Sequence, residues 1–201
     1  MPRVSDRYRD ARREHILAAA RRAFLRHGFH ATSMQDLFTE AQLSSGAVYR
    51  YFPGKEDIVL AIAEDNMREV ANLIRTVTEE RPGESIGTVL AAAVELITAK
   101  NQDSGLAGIG VQAWSESLSN PRIGMAFGQM LSTLRAELAE VISRHQKTTA
   151  LPAEPSAESL AGVMIGVLVG HLLQLALLGT DAVADTPAAL KALWPPLPDQ
   201  S

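Results

Sequence analysis

The sequence predicts an all-α fold in which a small N-terminal three-helix domain precedes a larger helical domain. Apolar residues recur at helical spacing in every long segment, and alternating β-branched runs bounded by hairpin turns are missing from the sequence. A chain of 201 residues buries a core either as one large domain or as a small domain with a companion, and the second arrangement fits better. The opening segment, residues 9–27, predicts an amphipathic helix. Its apolar stripe comprises Ile16, Leu17, Ala20, Phe24 and Leu25.

Residues 32–55 hold two short helix patterns separated by a tight connection, which is the spacing of a helix-turn-helix motif. The first pattern has two alternative start signals, each with the spacing of a capping box. Thr32 is followed by Gln35, and Ser33 is followed by Asp36. Both alternatives place the start of the helix within the same two residues.

The second pattern predicts a helix over about residues 44–52, with either Ser44 or Ser45 as its N-cap. Val48 and Phe52 lie four residues apart and therefore point inward as core anchors. The outward rows carry small side chains first and long ones later, namely Ser45, Gly46, Ala47, Tyr49 and Arg50. This order suits a helix that enters a DNA groove by its N-terminal end. The alternative interpretation is a plain surface helix, because isolated exposed aromatic and arginine side chains are common.

Lys55 follows the helix-stopping pair Pro53-Gly54 and begins the next predicted helix, where an ammonium and free amides can both meet a phosphate. Taken together, residues 10–70 resemble the DNA-binding domain of the TetR family of bacterial transcriptional regulators. The resemblance rests on His27-Gly28-Phe29, Thr32-Ser33, Tyr49-Arg50-Tyr51-Phe52 and Lys55-Glu56. It implies a recognition helix at about residues 44–52.

The resemblance also implies which residues contact DNA. The implied phosphate contacts are Ser33, Tyr49 and Lys55. The implied groove contacts are Ser44, Ser45, Gly46, Ala47 and Arg50, and Tyr51 completes the predicted DNA-binding set. Gln42 stands where the family usually has a glycine, so the turn is held without the residue that most easily adopts a positive φ. Ser45 and Ala47 replace a common Lys and Thr, which places more of the base discrimination on Arg50.

Charge is distributed unevenly along the chain. The total is −4, but residues 1–55 hold 10 Lys and Arg against 5 Asp and Glu, whereas the remainder holds 9 against 18. The basic charge is thus concentrated where the motif lies. Part of it is an N-terminal arm that carries Arg3, Arg7, Arg9, Arg12 and Arg13. This arm either follows DNA phosphates or forms a solvated tail.

Several classes of function are disfavoured by what the sequence lacks. The absence of cysteine excludes disulfides and thiolate metal sites, and the charged first 15 residues do not resemble a signal peptide. No hydrolase, metalloprotease or phosphate-loop motif is present, and the glycines of residues 105–110 have the wrong order for a dinucleotide fingerprint. We therefore expect a cytoplasmic, nucleoid-associated protein that is not an enzyme and has no cofactor or metal.

Residues 71–201 are predicted to form a ligand-sensing and dimerisation domain. Its helices are expected near residues 84–100, 104–119, 121–147, 156–178 and 186–194, after a linking helix over residues 55–78. Leu160–Leu178 is uncharged and long enough to span a membrane. The polar His171 and Gln174 at its middle, and the absence of adjacent Lys or Arg, argue against insertion. No membrane partner is expected.

Gly162, Gly166 and Gly170 recur every four residues and form a smooth stripe that another helix can approach closely. An apolar helix in a small chain is most easily covered by a second copy, and the resemblance to the TetR family likewise implies a homodimer whose interface is a four-helix bundle. Two motifs related by a twofold axis would read an inverted-repeat operator in double-stranded DNA.

Apolar side chains with a few polar groups on the central helices predict a pocket for a small-molecule effector. The predicted lining residues are Trp114, Met125, Phe127, Met130, Met164, His171 and Gln174. For each, a place in the ordinary core is the alternative, and His171 or Gln174 alternatively bonds across the dimer interface. The resemblance implies a repressor that a small apolar effector releases from its operator. An interaction protein that keeps the fold without binding DNA is the competing interpretation.

Overall fold

A computed structural model of the chain describes residues 6–80, 84–148 and 155–194. Within these ranges the structure contains helices and no strands, which confirms the all-α prediction. The α-helices are α1 (Asp6–His27), α2 (Met34–Ala41), α3 (Ser45–Tyr49), α4 (Lys55–Glu80), α5 (Ile86–Ser104), α6 (Leu106–Ser119), α7 (Pro121–Thr148), α8 (Ala157–Leu178) and α9 (Thr186–Leu193). A short 3₁₀ helix at Asp181–Val183 precedes α9 and was not predicted.

The start of α2 is fixed by the second of the two predicted capping boxes. The Asp36 amide donates to Ser33 Oγ at 3.2 Å, and the Ser33 amide donates to Asp36 Oδ2 at 2.8 Å. Hydrogen bonds that the Ser33 hydroxyl and the Ser33 amide donate to the carboxylate lower the pKa of Asp36. Thr32 has a different role, because it is buried and its hydroxyl donates to the Gly28 carbonyl at 2.7 Å. Thr32 thereby joins the end of α1 to the start of α2.

The turn between α2 and α3 passes through the left-handed region at Gln42, whose φ is 53°. The Gln42 amide donates to the Thr39 carbonyl at 3.1 Å, which closes the end of α2. Ser44 is the N-cap of α3, because its Oγ accepts the Ala47 amide at 3.3 Å. The predicted αL turn without glycine is therefore present. The helix itself ends at Tyr49, earlier than predicted.

Two buried apolar clusters organise the protein. One surrounds Phe24, Leu37 and Val48 in the first three helices, and it continues into α6 through Ile109 and into α7 through Phe127. The other fills the space between α5, α7, α8 and α9. Helix α4 contributes to both clusters, since the N-terminal part of its apolar stripe belongs to the first and its C-terminal part to the second. A division of the chain at residue 70 stays a prediction.

Helix α8 is long and apolar enough to cross a membrane by length and composition alone. In the structure it packs against α5, α6 and α7. Its His171 is buried and lies with Nε2 2.9 Å from Thr98 Oγ1 of α5. Burial disfavours the charged imidazolium and lowers the pKa of His171. A neutral histidine bonded to a neighbouring helix is typical of packing inside a protein.

Candidate nucleic-acid interface and apolar cavity

The outer surface of α3 and its flanks presents most of the predicted DNA-binding residues to solvent. Ser33, Ser44, Ser45, Gly46, Tyr49 and Arg50 are exposed, whereas Ala47, Tyr51 and Lys55 are partly buried. Val48 lies on the opposite side and is fully buried, so α3 has one inward and one outward face. A Cβ added at Gly46 would have no neighbouring atom within 4 Å. The first turn of α3 is therefore smooth and open.

Arg50 differs from Arg22 and Arg26, which are exposed arginines of α1. Arg22 bonds to Glu40 at 2.7 Å, and Arg26 bonds to the same carboxylate. The Arg50 guanidinium makes no hydrogen bond or ion pair with any residue in the described ranges. Tyr49 beside it is held by an edge-on contact with the Phe38 ring, with centroids 5.3 Å apart. An exposed guanidinium next to a fixed aromatic side chain is suited to an anionic partner.

Lys55 does not face outward as the sequence suggested. Its ammonium donates to the carbonyl oxygens of Phe29 at 2.7 Å and Thr32 at 2.8 Å, with a longer bond to His30. It also lies 4.4 Å from the centre of the Phe29 ring. Burial lowers the pKa of Lys55, although the nearby carboxylates of Glu116 and Glu56 oppose this shift. Because an ammonium has three donors, this geometry leaves none for a phosphate.

The predicted N-terminal arm is helical within the described residues. Arg7, Arg9, Arg12 and Arg13 lie in α1, which begins at Asp6, and Arg3 lies outside the described residues. Arg13 is bonded to Asp65 of α4 at 2.8 Å. This ion pair joins α1 to α4. The Arg13 side chain is therefore engaged within the protein and is not part of an arm that lies along DNA.

Helix α6 contacts the loop between α1 and α2 directly. The Phe29 amide donates to Gln112 Oε1 at 2.6 Å, and His30 Nε2 lies 3.2 Å from Glu116 Oε2. At the start of α7, Arg122 bonds to Glu56 at 3.0 Å and also contacts Asp57. The helix-turn-helix unit is therefore attached to the rest of the protein through α6 and α7, in addition to its covalent link through α4.

An apolar cavity of about 100 Å³ lies between α4, α5, α6, α7 and α8. Its lining residues are Val59, Ile62, Ala63, Asn66, Met67, Val70, Ile97, Leu106, Ile109, Gly110, Ala113, Trp114, Phe127, Leu131, Leu134, Ile165, Leu168, Val169 and Leu172. Trp114 and Phe127 of the predicted pocket set lie on this wall. The contribution of α4 to the wall was not predicted. A signal was present in the sequence, because Asn66 occupies an inward position of the otherwise apolar stripe of that helix.

Five of the predicted pocket residues lie elsewhere. Met125 is 74% exposed, and Met130 borders a separate groove between α4 and α7. Met164 belongs to the buried cluster around α5 and α8. His171 bonds to Thr98, and Gln174 is exposed with its amide donating to the Gly170 carbonyl at 3.3 Å. These five residues do not line this cavity, because neighbouring positions on a helix point to different faces, and their contact with a ligand stays a prediction.

The predicted glycine stripe on α8 is only partly open. A Cβ added at Gly166 or Gly170 would meet nothing within 4 Å, whereas one at Gly162 would lie 3.5 Å from the Arg135 guanidinium of α7. Gly162 therefore faces the chain itself. The same open side carries exposed apolar residues, including Val163 at 53% and Leu177 at 69%.

The capped α2, the αL turn and the open face of α3 define a DNA-binding protein of the helix-turn-helix class. Residues 16–62 match the family of bacterial regulatory proteins named tetR. The chain resembles the TetR family over these N-terminal residues. Among the described residues, no group of His, Asp or Glu side chains is placed to hold a metal ion.

Curated relatives agree with this assignment. The transcriptional regulator YfiR of Bacillus subtilis is 38% identical over 68 residues, which cover 34% of this chain and 33% of YfiR. The repressor AcnR of Corynebacterium diphtheriae is 34% identical over 74 residues, or 37% of this chain and 39% of AcnR. These matches thus span between a third and two fifths of those relatives. The regulator UidR of Escherichia coli is 25% identical over 147 residues, covering 73% of this chain and 70% of UidR.

Solved structures show the fold over nearly the whole chain. GusR of Salmonella enterica superposes with a TM-score of 0.74 at 22% identity, covering 96% of this chain and 98% of GusR. FadR of Bacillus subtilis, solved in complex with stearoyl-CoA, gives a TM-score of 0.74 at 16% identity, covering 92% of this chain and 99% of FadR. The fold of the C-terminal helices is therefore shared with these regulators, although the sequence identity is low.

Proposed function

We propose that this chain is a sequence-specific DNA-binding transcriptional regulator that acts as a homodimer. It represses its target, and a small apolar effector releases it from an inverted-repeat operator. The observation that carries the proposal is the outer face of α3, where an unpaired Arg50 lies beside an open first turn. The relatives named above are regulators, and two of the three are named only as regulators without a stated direction of control. Repression is proposed because it is the common mode of the family.

The proposed contacts with DNA divide into two groups. Ser45, Gly46 and Ala47 bring the start of α3 close to the base edges, and Arg50 donates to a guanine. Ser33, Ser44 and Tyr49 contact the phosphates on either side. Tyr51 is partly buried and packs against the apolar cluster of the first helices, so its contact with DNA is the least direct of the set. Lys55 acts on phosphate only if its ammonium leaves the carbonyl oxygens that it now contacts.

The proposed homodimer buries the open side of α8. Val163, Gly166, Gly170, Leu173 and Leu177 lie at alternating spacings of three and four residues, so they form one stripe along the helix. A solvent-exposed apolar stripe of this kind is stabilised when a second copy covers it. The twofold axis then places two copies of α3 about 34–36 Å apart, or at a multiple of that distance, which matches an inverted repeat.

The proposed effector site is the apolar cavity, because it is bounded by α4 and α6, and both helices also contact the helix-turn-helix unit. A ligand that favours the form unable to fit the operator lowers the operator affinity. A coupling free energy of about 1–3 kcal/mol corresponds to a change of roughly 5- to 150-fold. Relatives of the same fold have been solved with stearoyl-CoA and with choline, so bound small molecules occur in this fold.

The test is binding of the purified protein to DNA upstream of its own gene and neighbouring genes, by mobility shift and footprinting across a salt series. We expect protection of an inverted repeat and a steep loss of affinity with salt. Arg50→Ala should weaken specific binding by about 1–3 kcal/mol, roughly 5- to 150-fold, and relax the preference at one base pair of each half-site.

Arg75→Ala is the matched control, because Arg75 is an exposed arginine on α4 that lies near Glu137 of α7. It should leave operator binding unchanged. If the wild-type protein binds these fragments no more tightly than unrelated DNA, and genome-wide selection also yields no specific site, the competing interpretation of an interaction protein replaces the regulator.

A further inference from the structure

We infer that the apolar cavity takes an uncharged, ring-sized molecule with a single hydrogen-bonding group, and that Asn66 on α4 binds this group. The inference rests on the proposed function, because it names the class of effector for the same regulator. It combines three properties of the cavity: the absence of charge on its wall, the position of Asn66, and its volume.

The first property is the chemistry of the wall. None of the described residues that line the cavity has an ionisable side chain, and the polar side-chain groups among them are the Asn66 amide and the Trp114 indole N–H. A charged molecule would lose its hydration on entry and find no opposite charge in return, which is strongly unfavourable in an apolar site. A neutral molecule carries no such cost, so the wall selects against both cations and anions.

The second property is the position of Asn66. The inward stripe of α4 otherwise contributes apolar side chains to the wall, namely Val59, Ile62, Ala63, Met67 and Val70. The half-buried Asn66 interrupts this stripe, and its side chain forms no hydrogen bond with the described residues. The amide is accessible rather than buried, and Asn66 also borders a groove lined by charged side chains, so its amide is open to a ligand group at the cavity wall. The Trp114 indole, likewise without a partner in the described ranges, lies on the same wall.

The third property is size. The cavity measures about 100 Å³, whereas an engineered apolar cavity of about 150 Å³ binds benzene. A single ring with one substituent atom therefore fits after a small outward movement of the wall. Met67 permits this movement, because it lines both the cavity and the neighbouring groove between α4 and α7, and its side chain is flexible.

The experiment compares five aromatic probes on the full-length protein by titration calorimetry and by ligand-observed NMR. Phenol is neutral at pH 7 and has one hydrogen-bonding group, toluene has none, and N-methylpyridinium is a cation of the same size. We expect phenol to bind about tenfold more tightly than toluene, which is the size of one net hydrogen bond. N-methylpyridinium should not bind measurably. Benzoate and nitrobenzene have the same shape and test a negative charge. Neutral nitrobenzene should bind more tightly than the benzoate anion.

Asn66→Leu should remove the preference for phenol over toluene while keeping toluene binding. Asn72→Leu is the matched control, because Asn72 is an exposed asparagine on the same helix and does not line the cavity. It should leave the tenfold preference intact. If Asn66→Leu does not fold, as judged by circular dichroism and thermal unfolding, Asn66→Ala replaces it and carries the same expectation.

Three results would overturn the inference: tight binding of N-methylpyridinium or benzoate, a preference for phenol that persists without the Asn66 amide, or no binding of any neutral probe at millimolar concentration. None of these results depends on DNA. Failure of the regulator proposal would instead appear as loss of specific operator binding in the separate mobility-shift assay, so the two failures are distinguishable.

Discussion

The outer face of α3 and the open side of α8 are both exposed, yet their side chains differ in kind. Around α3 the exposed residues are serines, glycine, tyrosine and an arginine without a partner. Along α8 they are valine, leucine and glycine. Polar groups remain hydrated until a polar partner such as DNA replaces the water, whereas an apolar stripe of this length is stabilised only by continuous cover. The comparison shows that exposure alone does not identify a site, because the chemistry of the exposed groups selects the partner.

The largest expected effect concerns the exposed apolar stripe of α8. Val163→Glu places a carboxylate in the middle of the proposed dimer interface, where an unpaired buried charge costs about 3–5 kcal/mol. We expect the dimer to dissociate in sedimentation equilibrium at micromolar protein. Operator affinity should fall with it, since one copy binds only one half-site.

Leu118→Glu is the control for this variant, because Leu118 lies on α6 and is 91% exposed. It should leave both the assembly and operator binding unchanged. A Val163→Glu protein that stays dimeric at the wild-type dissociation constant would mean that another surface forms the dimer.

The next effect concerns Lys55, which lies between the DNA-binding face and the interior. Lys55→Met removes the donors that satisfy the carbonyl oxygens of Phe29 and Thr32. We expect the free energy of unfolding to fall by about 1–3 kcal/mol in urea titrations, because buried acceptors lose their partner. Lys191→Met, at an exposed lysine of α9, should change it little.

The same variant separates the structural role from the phosphate contact that the sequence predicted. If Lys55 binds phosphate in the complex, the slope of log affinity against log salt should decrease by about one in Lys55→Met. An unchanged slope together with reduced stability would assign Lys55 to the fold alone. Unchanged stability with a reduced slope would contradict the structural role.

The smallest expected effect is a pH dependence of stability that arises from His171 on the inner side of α8. Its pKa in the folded protein is lowered by burial, so the unfolded chain binds more protons once the pH falls below about 6.5. The stabilising contribution of the neutral histidine is complete above that pH and is lost progressively towards the lower folded pKa. Urea unfolding at pH 7.5 and 5.5 should show this loss in the wild type, with a smaller loss in His171→Gln.

His27→Gln is the control, since His27 is exposed at the end of α1, and it should retain the full pH dependence of the wild type. An equal loss of stability in His171→Gln and the wild type would mean that other groups cause it.

The sequence predicted the N-terminal helices well because their determinants are local. A capping box, an N-cap serine and a turn between them depend on residues within a few positions of each other, so Ser33, Asp36 and Ser44 were recognisable without knowledge of the fold. The choice between Thr32 and Ser33 was not recognisable, because it depends on Thr32 packing against the end of α1.

The cavity was harder to predict because its wall comes from five helices that span much of the chain. Whether Met125 or Phe127 faces inward depends on the rotation of α7 against its neighbours, and a difference of two residues turns a side chain to another face. The inward orientation of the Lys55 side chain likewise depends on carbonyl oxygens more than 20 positions earlier in the chain. Sequence patterns indicate that a helix has an apolar face, but not which neighbouring helices meet it.

The contact between α6 and the loop after α1 has a further consequence. Gln112, which accepts the Phe29 amide, and Trp114, on the cavity wall, are two residues apart, or about 3 Å along the helix axis. Any displacement of α6 by a bound molecule therefore reaches the backbone ahead of α2 within the length of one side chain. The effector response proposed above would therefore need no long relay between the cavity and α3. A change of cavity shape by mutation should disturb the operator complex even when no small molecule is present.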